Sequence, residues 1–216
     1  EVAVLPDIGS EVYTQRTFSG RRYESQALNS FGQPVPLIAG KMQSSGRQAT
    51  ARLLALDLSH DATDIIAFDL AAAYDVPSIS KLTRTCAYNR TGAGSLTVID
   101  EFAFTQPETF ETALLTFGRC QQLSPRVLLI TDGAEAVRVE ISVPDNIPLE
   151  VRTEAIREDL VARRTATRIG LRLKEAVRDG KVTVVITPSS ASTDASLKKL
   201  SGLPGPASPA LEAAAK

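Results

Sequence analysis

The chain has 216 residues, with 24 basic and 25 acidic side chains and a formal net charge of −1. This length allows one large domain or two small ones with a buried core. The balanced charge gives no electrostatic footprint for nucleic acid or an anionic membrane surface, and no apolar run is long enough to span a bilayer. Cys86 and Cys120 are too few for a disulfide framework and lack metal-site spacing, and whether they pair stays open.

The first feature in chain order is an irregular polar stretch from Arg21 to Gln43. Its two prolines exclude a helix, and amide side chains at Asn29 and Gln33 alternate with apolar residues. Such a concentration of amide, aromatic and guanidinium groups indicates an edge that meets a ligand or a partner, but an irregular edge strand with a bulge explains it as well. The role of Tyr23 is open in the same way. In a functional site, the neighbouring arginines would stabilise its phenolate and lower its pKa; the alternative is an ordinary tyrosine on a strand edge.

From residue 50 onward the dominant pattern is alternation of apolar and polar residues with a period of two. It predicts strands at 50–59, 64–70, 82–90, 95–105, 136–143, 167–174 and 182–187. In the cleanest of these, Val137, Val139 and Ile141 face inward. In the segment 167–174, Ile169 is predicted to face inward and Arg168 outward.

The connections agree with strands. Asp132-Gly133 and Asp179-Gly180 predict tight turns, and Thr91–Gly94 predicts a longer hairpin loop. The nearest helix candidate, Glu158–Arg164, is short. About ten strands joined by turns cannot lie in one flat sheet, so the sequence predicts an all-β, antiparallel, two-sheet β-sandwich over residues 1–188.

Beyond Pro188 the composition shifts to Ser, Ala, Pro and Gly, which predicts a flexible tail over residues 189–216. The closing EAAAK resembles the semi-rigid linkers of engineered fusions, so whether it is native stays open. The chain opens with EVAVLPD, without Met or a signal peptide, as expected for a mature chain or a piece of a larger protein.

The sequence contains one histidine, His60, in LSHDATD. Its spacing to the nearby aspartates matches no ligand motif, and a turn between two strands is favoured over a metal site. Nucleophilic catalysis by Ser or Cys would need a partner histidine, and only His60 is available. We therefore expect no metal and no cofactor.

Arg84, Cys86, Tyr88 and Arg90 fall on one face of the strand predicted at 82–90. That face is either solvated, with the long side chains covering apolar surface, or lines a cleft that meets anions. The solvated face is the commoner arrangement.

The order of several motifs resembles a known family. EVYTQRTFSGRRYES, NSFGQPVPLIAGKMQ, LDLSHDATDIIAFDLAAAY, LTRTCAYNR and SLTVIDEFAF follow one another, and this order is similar to that in the C-terminal β-sandwich of heparinase II/III-like proteins. The resemblance runs from about Glu11 to Pro188 and is specific in the order of the motifs rather than in any single one.

Members of that family are polysaccharide lyases that cleave uronic-acid-containing chains by β-elimination, in a cleft between an N-terminal α/α-toroid domain and the sandwich. The resemblance implies an acidic polysaccharide or oligosaccharide partner, a missing toroid domain and a periplasmic or secreted location. It leads us to expect substrate-binding residues at Tyr23, Asn29, Gln33, Gln43, Arg84 and Arg90.

In that family the sandwich contributes a histidine on the motif resembling NSFGQPVP, where this chain has Gln33. A carboxamide does not titrate near neutral pH, so Gln33 cannot be a general acid or base, although it can donate to a carboxylate or a sugar hydroxyl. We therefore expect a lyase sandwich domain that is inactive without its toroid. The alternative is a non-catalytic glycan-binding or structural module, and an immunoglobulin-type interaction module ranks last because the chain has no Trp. The near-neutral charge favours a non-sulfated polymer.

Overall fold

The computed structural model describes residues 3–190, which are mostly strand and turn. Short 3₁₀ turns lie at Arg16–Phe18, Arg22–Glu24, Ser30–Gly32 and Ala71–Ala73. The described residues form twelve strands: β1 (Leu37–Ile38), β2 (Arg52–Asp57), β3 (Thr63–Asp69), β4 (Ile79–Asn89), β5 (Ser95–Glu108), β6 (Phe110–Thr116), β7 (Arg119–Ser124), β8 (Val127–Asp132), β9 (Glu135–Ser142), β10 (Leu149–Ala155), β11 (Thr167–Leu173) and β12 (Val177–Ser189). Among these residues no helix is long and apolar enough to cross a membrane.

The strands form two sheets in which every pairing is antiparallel. The larger sheet has eight strands in the order β2-β3-β4-β5-β12-β9-β8-β7, and the smaller has four in the order β1-β6-β11-β10. Apolar side chains of both sheets meet in one core, where Leu82 and Phe102 of the larger sheet and Ile169 and Leu171 of the smaller are at most 2% exposed. The predicted antiparallel two-sheet β-sandwich is confirmed.

The period-two pattern correctly predicted which residues of β9 face the core. Val139 and Ile141 are buried in the core, and Glu140 between them is exposed. The turn between β8 and β9 lies at Asp132-Gly133, where Gly133 has a φ of 60° that favours glycine. Thr91–Gly94 joins β4 to β5 as a longer loop, also as predicted.

The predicted turn at Asp179-Gly180 is wrong. Both residues lie inside β12, where they pair with Ala103 and Phe102 of β5 beside a shift in register. A Cβ atom on Gly180 would lie 2.8 Å from Pro144 Cγ and 3.0 Å from Phe102 Cζ. This glycine therefore permits close packing within a strand and does not reverse the chain.

Part of the N-terminal segment (residues 4–36), including Ile8, Ala27 and Phe31, packs over the outer face of the smaller sheet. Ile8 and Ala27 of this N-terminal segment form a second apolar cluster with Leu115 of β6 and with Ile156 and Leu160, which follow β10. The segment Glu158–Arg164 is a turn, with Leu160 bridged to Glu11. The molecule thus has a third layer, made of irregular chain.

Arg168 shows the effect of this layer. It lies on the opposite face of β11 from Ile169, as predicted, but the expected solvent exposure is wrong, because the side chain is 0% exposed. Its guanidinium pairs with Glu111 of β6 and stacks 4.7 Å from the centre of the Phe31 ring. Within residues 3–190, its Nε and Nη2 atoms have no hydrogen-bond partner.

His60 lies in the turn between β2 and β3, as predicted, with Nε2 3.3 Å from Oδ2 of Asp57. Cys86 and Cys120 are free and half-buried, and burial raises the pKa of both thiols. No group of three or more His, Cys, Asp or Glu side chains in the described part of the chain is placed to hold a metal ion. The predicted flexible tail lies, beyond its first two residues, outside the described residues.

Candidate functional site

A groove of about 470 Å³ opens between the turns of the N-terminal segment and the chain that follows β1. Residues 23–33 line one wall and residues 42–49 the other. Four of the lining residues are among those expected from the sequence, namely Tyr23, Asn29, Gln33 and Gln43. We call this cavity the Gln33 groove.

Asn29 shapes the first wall. Its Oδ1 accepts a hydrogen bond from the backbone N–H of Phe31 at 2.8 Å and so caps the 3₁₀ turn Ser30–Gly32. Its Nδ2 donates to the carbonyl of Tyr23 at 3.2 Å. Asn29 therefore fixes the position of Tyr23 relative to the turn, and one hydrogen of its amide group is left for a ligand.

Gln33 follows that turn directly in an extended conformation, with φ −124° and ψ 150°. Its backbone is held on both sides, since its N–H donates to Ser30 and its carbonyl accepts from Val35 at 2.8 Å. Among the described residues, none forms a hydrogen bond with its side-chain carboxamide. A fixed backbone that carries an unused donor and acceptor is suited to binding a polar ligand.

Hydrogen bonds hold the second wall to the first wall and to the 3₁₀ turn Ala71–Ala73. The backbone N–H of Gln43 donates to Ser30 Oγ at 2.9 Å, and the N–H of Ser44 donates to the carbonyl of Ala73 at 2.8 Å. The Gln43 side chain is also directed to the buried hydroxyl of Tyr74. Burial raises the pKa of Tyr74, an effect that the nearby Arg84 cation and Gln43 only partly offset, so Tyr74 stays a neutral donor.

Three side chains of the sandwich contact the segment 31–36, which carries Gln33 and which we call the groove loop. Tyr74 donates to the carbonyl of Pro36 at 2.7 Å, and Arg84 donates to the carbonyl of Pro34. Arg168 stacks against Phe31. Because these contacts come from both sheets, the loop that carries Gln33 is fixed to the core and does not extend freely into solvent.

Arg84 lies between the sheets and not in the groove. Its side chain is 11% exposed and forms two 2.7 Å hydrogen bonds to the carboxylate of Asp100, with a third bond of 2.9 Å to Thr112 Oγ1. The solvated face expected for its strand is wrong at this position, whereas Tyr88 further along is 47% exposed. The contacts of Arg84 give it a structural role, because it connects β4 to β5, β6 and the groove loop.

Arg90 and Tyr23 have different settings. Arg90 follows β4 at the far end of the sheet, where it pairs with Asp64 beside the His60 turn, and it is not brought to the groove. Tyr23 lies at the groove rim and is 50% exposed. The guanidinium groups next to it in sequence bind elsewhere: Arg21 pairs with Glu24 at 2.8 Å, and the other arginine donates to a backbone carbonyl.

All the residues that line the groove are uncharged, and Tyr23 is the one with a titratable side chain. Amide, hydroxyl and phenol groups can bind sugar hydroxyls or donate to a carboxylate, but they supply neither a counter-charge nor a base for neutral pH. On the opposite wall the sequence singled out Gln43 but not its neighbours Met42, Ser44 and Ser45. A methionine and two serines carry no distinctive pattern, so no signal could have identified these neighbours.

No protein-family model matches this sequence, and no curated protein does so either. Solved structures do match. A heparinase III structure shares 14% identity at a TM-score of 0.67, with 88% of this chain and 29% of that chain covered. A second heparinase III structure gives 18% identity, a TM-score of 0.62 and 88% and 28% coverage. The heparan sulfate lyase HepC from Pedobacter heparinus shares 12% identity at a TM-score of 0.63, with 87% of this chain and 28% of that chain covered.

These identities are too low to carry more than the fold. The chain thus has the fold of one part of heparinase III structures, and the resemblance inferred from the order of its motifs is confirmed at that level. It spans less than a third of the length of the proteins it matches.

Proposed function

We propose that this chain is the β-sandwich part of a heparinase-like polysaccharide lyase, and that its Gln33 groove binds a uronic-acid-containing polysaccharide. One observation carries the proposal. On a fold shared with part of heparinase III structures, the chain gathers Tyr23, Asn29, Gln33 and Gln43 around one open cavity. Amide, hydroxyl and phenol groups supply the hydrogen-bond donors and acceptors that sugar hydroxyls and carboxylates need.

The chemistry of β-elimination defines what this groove can contribute. A proton leaves the carbon next to the uronate carboxylate, and the charge that develops must be held by hydrogen-bond donors or a cation. The Gln33 carboxamide and the remaining N–H of Asn29 are donors on a fixed backbone, so their role is to orient the carboxylate or a neighbouring hydroxyl.

The proton transfers are assigned to residues outside this groove. Gln33 stands where the family sandwich has a histidine, and an amide neither takes nor gives a proton near neutral pH. We therefore propose that activity requires a toroid domain in the same protein, and that the chain alone binds without turnover. The proposed setting is periplasmic or secreted.

A non-catalytic glycan-binding module is the second candidate. The uncharged lining of the groove favours it, because such a surface binds saccharides without supplying a base. The two candidates share the binding step and differ in turnover.

The binding step is tested by titrating oligosaccharides from alginate and from non-sulfated and sulfated glycosaminoglycans into the chain, with calorimetry or NMR shifts as readout. Gln33→Ala removes one ligand hydrogen bond, worth about 0.5–1.5 kcal/mol, and should weaken binding about 2- to 10-fold. Gln121→Ala on β7, an exposed glutamine outside the groove, should leave affinity unchanged. Equal affinity of both variants would remove Gln33 from the site.

Turnover is tested on a full-length protein that contains this sequence, with the same polymers and with ultraviolet-absorbing unsaturated ends as the product signal. Product formation supports the lyase, and a Gln33→His variant should then raise the rate if the remaining machinery is present. Saccharide binding without product from any uronate polymer would support the binding module and refute the lyase.

A further inference from the structure

The larger sheet ends at β2, an edge strand with a large apolar surface. β2 pairs with β3 on one side, and no strand within residues 3–190 pairs with its other side. Leu53, Leu54 and Leu56 are 50%, 43% and 56% exposed. A free edge with exposed leucines is a template for pairing with another strand.

The opposite edge of the same sheet is built differently. There, β7 presents Arg119, Gln121 and Gln122 to solvent, and such polar side chains discourage association of an edge strand. The apolar character is therefore specific to the β2 edge and is not a general feature of this sheet.

A bulge sets which side chains of β2 share a face. Leu53 pairs with Phe68 and Ala55 with Ala67, so two residues of β2 stand opposite one position of β3. Residues five apart normally point to opposite faces, but the bulge brings Arg52 and Asp57 to the same, outer face, with Ala55 between them. Leu56 lies on the inner face together with Leu53, in line with Phe68 of the core.

This order is self-complementary. In an antiparallel pair related by a twofold axis normal to the sheet, the two copies keep the same face outward. The bulged residues Leu53 and Leu54 together occupy one position of the strand, so Arg52 and Asp57 are equally far from Ala55. With the axis at Ala55, Asp57 of each copy therefore meets Arg52 of the other on the outer face, and Leu56 meets the bulged leucines on the inner face. Arg52 is available for this contact, because its side chain is 74% exposed even though it pairs with Asp69.

We propose that β2 is a homodimerisation edge, at which a second copy of this chain adds its own β2 antiparallel and joins the two larger sheets into one. Charge complementarity between Arg52 and Asp57 and the leucine contacts select a second copy as the occupant. The paired strands have six residues each, so the contact is smaller than the about 1,200 Å² of a stable interface, and a weak, concentration-dependent dimer is expected.

The test uses single charge reversals and sedimentation equilibrium up to about 1 mM protein, a range that covers weak association. The chain as it stands should dimerise reversibly. Arg52→Asp alone and Asp57→Arg alone should each be monomeric, because like charges then meet twice. An equimolar mixture of the two variants should form a heterodimer, since both contacts become Asp–Arg pairs.

Arg119→Asp, a matched reversal on the other edge strand, should dimerise like the parent chain. Circular dichroism establishes that each variant is folded. A chain that stays monomeric throughout this range overturns the proposal and leaves the β2 edge to a different partner. A dimer that persists in both single variants, or a mixture that does not associate, overturns the proposed register and with it the twofold pairing.

Discussion

The strongest stability prediction concerns the ion pair between the sheets. Arg84→Met keeps most of the side-chain volume but removes the guanidinium and leaves the carboxylate of Asp100, 1% exposed, without its cation. Breaking a buried pair in this way typically costs about 3–5 kcal/mol, because a buried charge loses its compensation. A domain has about 5–15 kcal/mol in total, so this variant should lose a large part of its stability. The bond to the Pro34 carbonyl is lost as well.

Urea unfolding followed by far-ultraviolet circular dichroism measures the effect as a lower midpoint at an unchanged slope. Arg163→Met is the matched control: in its pair with Asp159 both side chains are exposed, at 73% and 70%, and such a pair is worth about 0–1 kcal/mol. The double variant Arg84→Met/Asp100→Leu should recover much of the loss, since apolar groups then fill the position. A loss in Arg84→Met no larger than in the control would refute the reasoning that this pair is desolvated.

Two further variants test the packing around Gly180 and the loss of stability at low pH. Gly180→Ala should lower the free energy of unfolding by about 1–3 kcal/mol, because the added Cβ would lie 2.8 Å from a proline ring. In the control variant Gly20→Ala the added Cβ has no atom within 4 Å, so this variant should not be destabilised. Equal urea midpoints for the two variants would contradict this prediction. Burial raises the pKa of Glu11, but hydrogen bonds from Thr17, Ser25 and Arg16 outweigh it and hold the pKa below its usual value. The ionised form therefore stabilises the fold above the pKa of an unfolded glutamate, and the stabilisation is lost as the pH falls through the folded-state pKa. Glu11→Gln should be less stable at pH 7, with a gap to the parent chain that shrinks on acidification; a constant gap down to about pH 3 would rule out this role.

The sequence could predict those strands in which one face is buried and the other is exposed to solvent. β9 alternates for that reason, and Val139 and Ile141 were assigned correctly. β6 is buried along its whole length, because the larger sheet covers one face and the N-terminal segment the other, so it shows no alternation and was missed. The burial of Arg168 could not be predicted for the same reason, since its cover comes from residues more than a hundred positions away.

The groove was predictable on one wall and at Gln43 of the other. Prolines and glycines exclude regular structure between residues 21 and 43, and the polar side chains left in such a segment have no ladder to join, so Asn29 and Gln33 stood out. Arg84 was misread because its partner Asp100 lies on a neighbouring strand, and sequence spacing carries no information on such a pair. The Asp179-Gly180 dipeptide was misread as a turn because the packing that requires a glycine there comes from Pro144 and Phe102.

The third layer has a consequence for how ligand preference can change. A loop that only touches solvent can be exchanged without harm to the rest of a protein. Residues 23–33 cannot be exchanged in this way, because Phe31 and the carbonyl of Pro34 just beyond them also shield the arginines beneath. Residues 45–48 are exposed, so substitutions that change the ligand preference of the proposed binding groove should concentrate there, on the wall that can vary without loosening the sandwich.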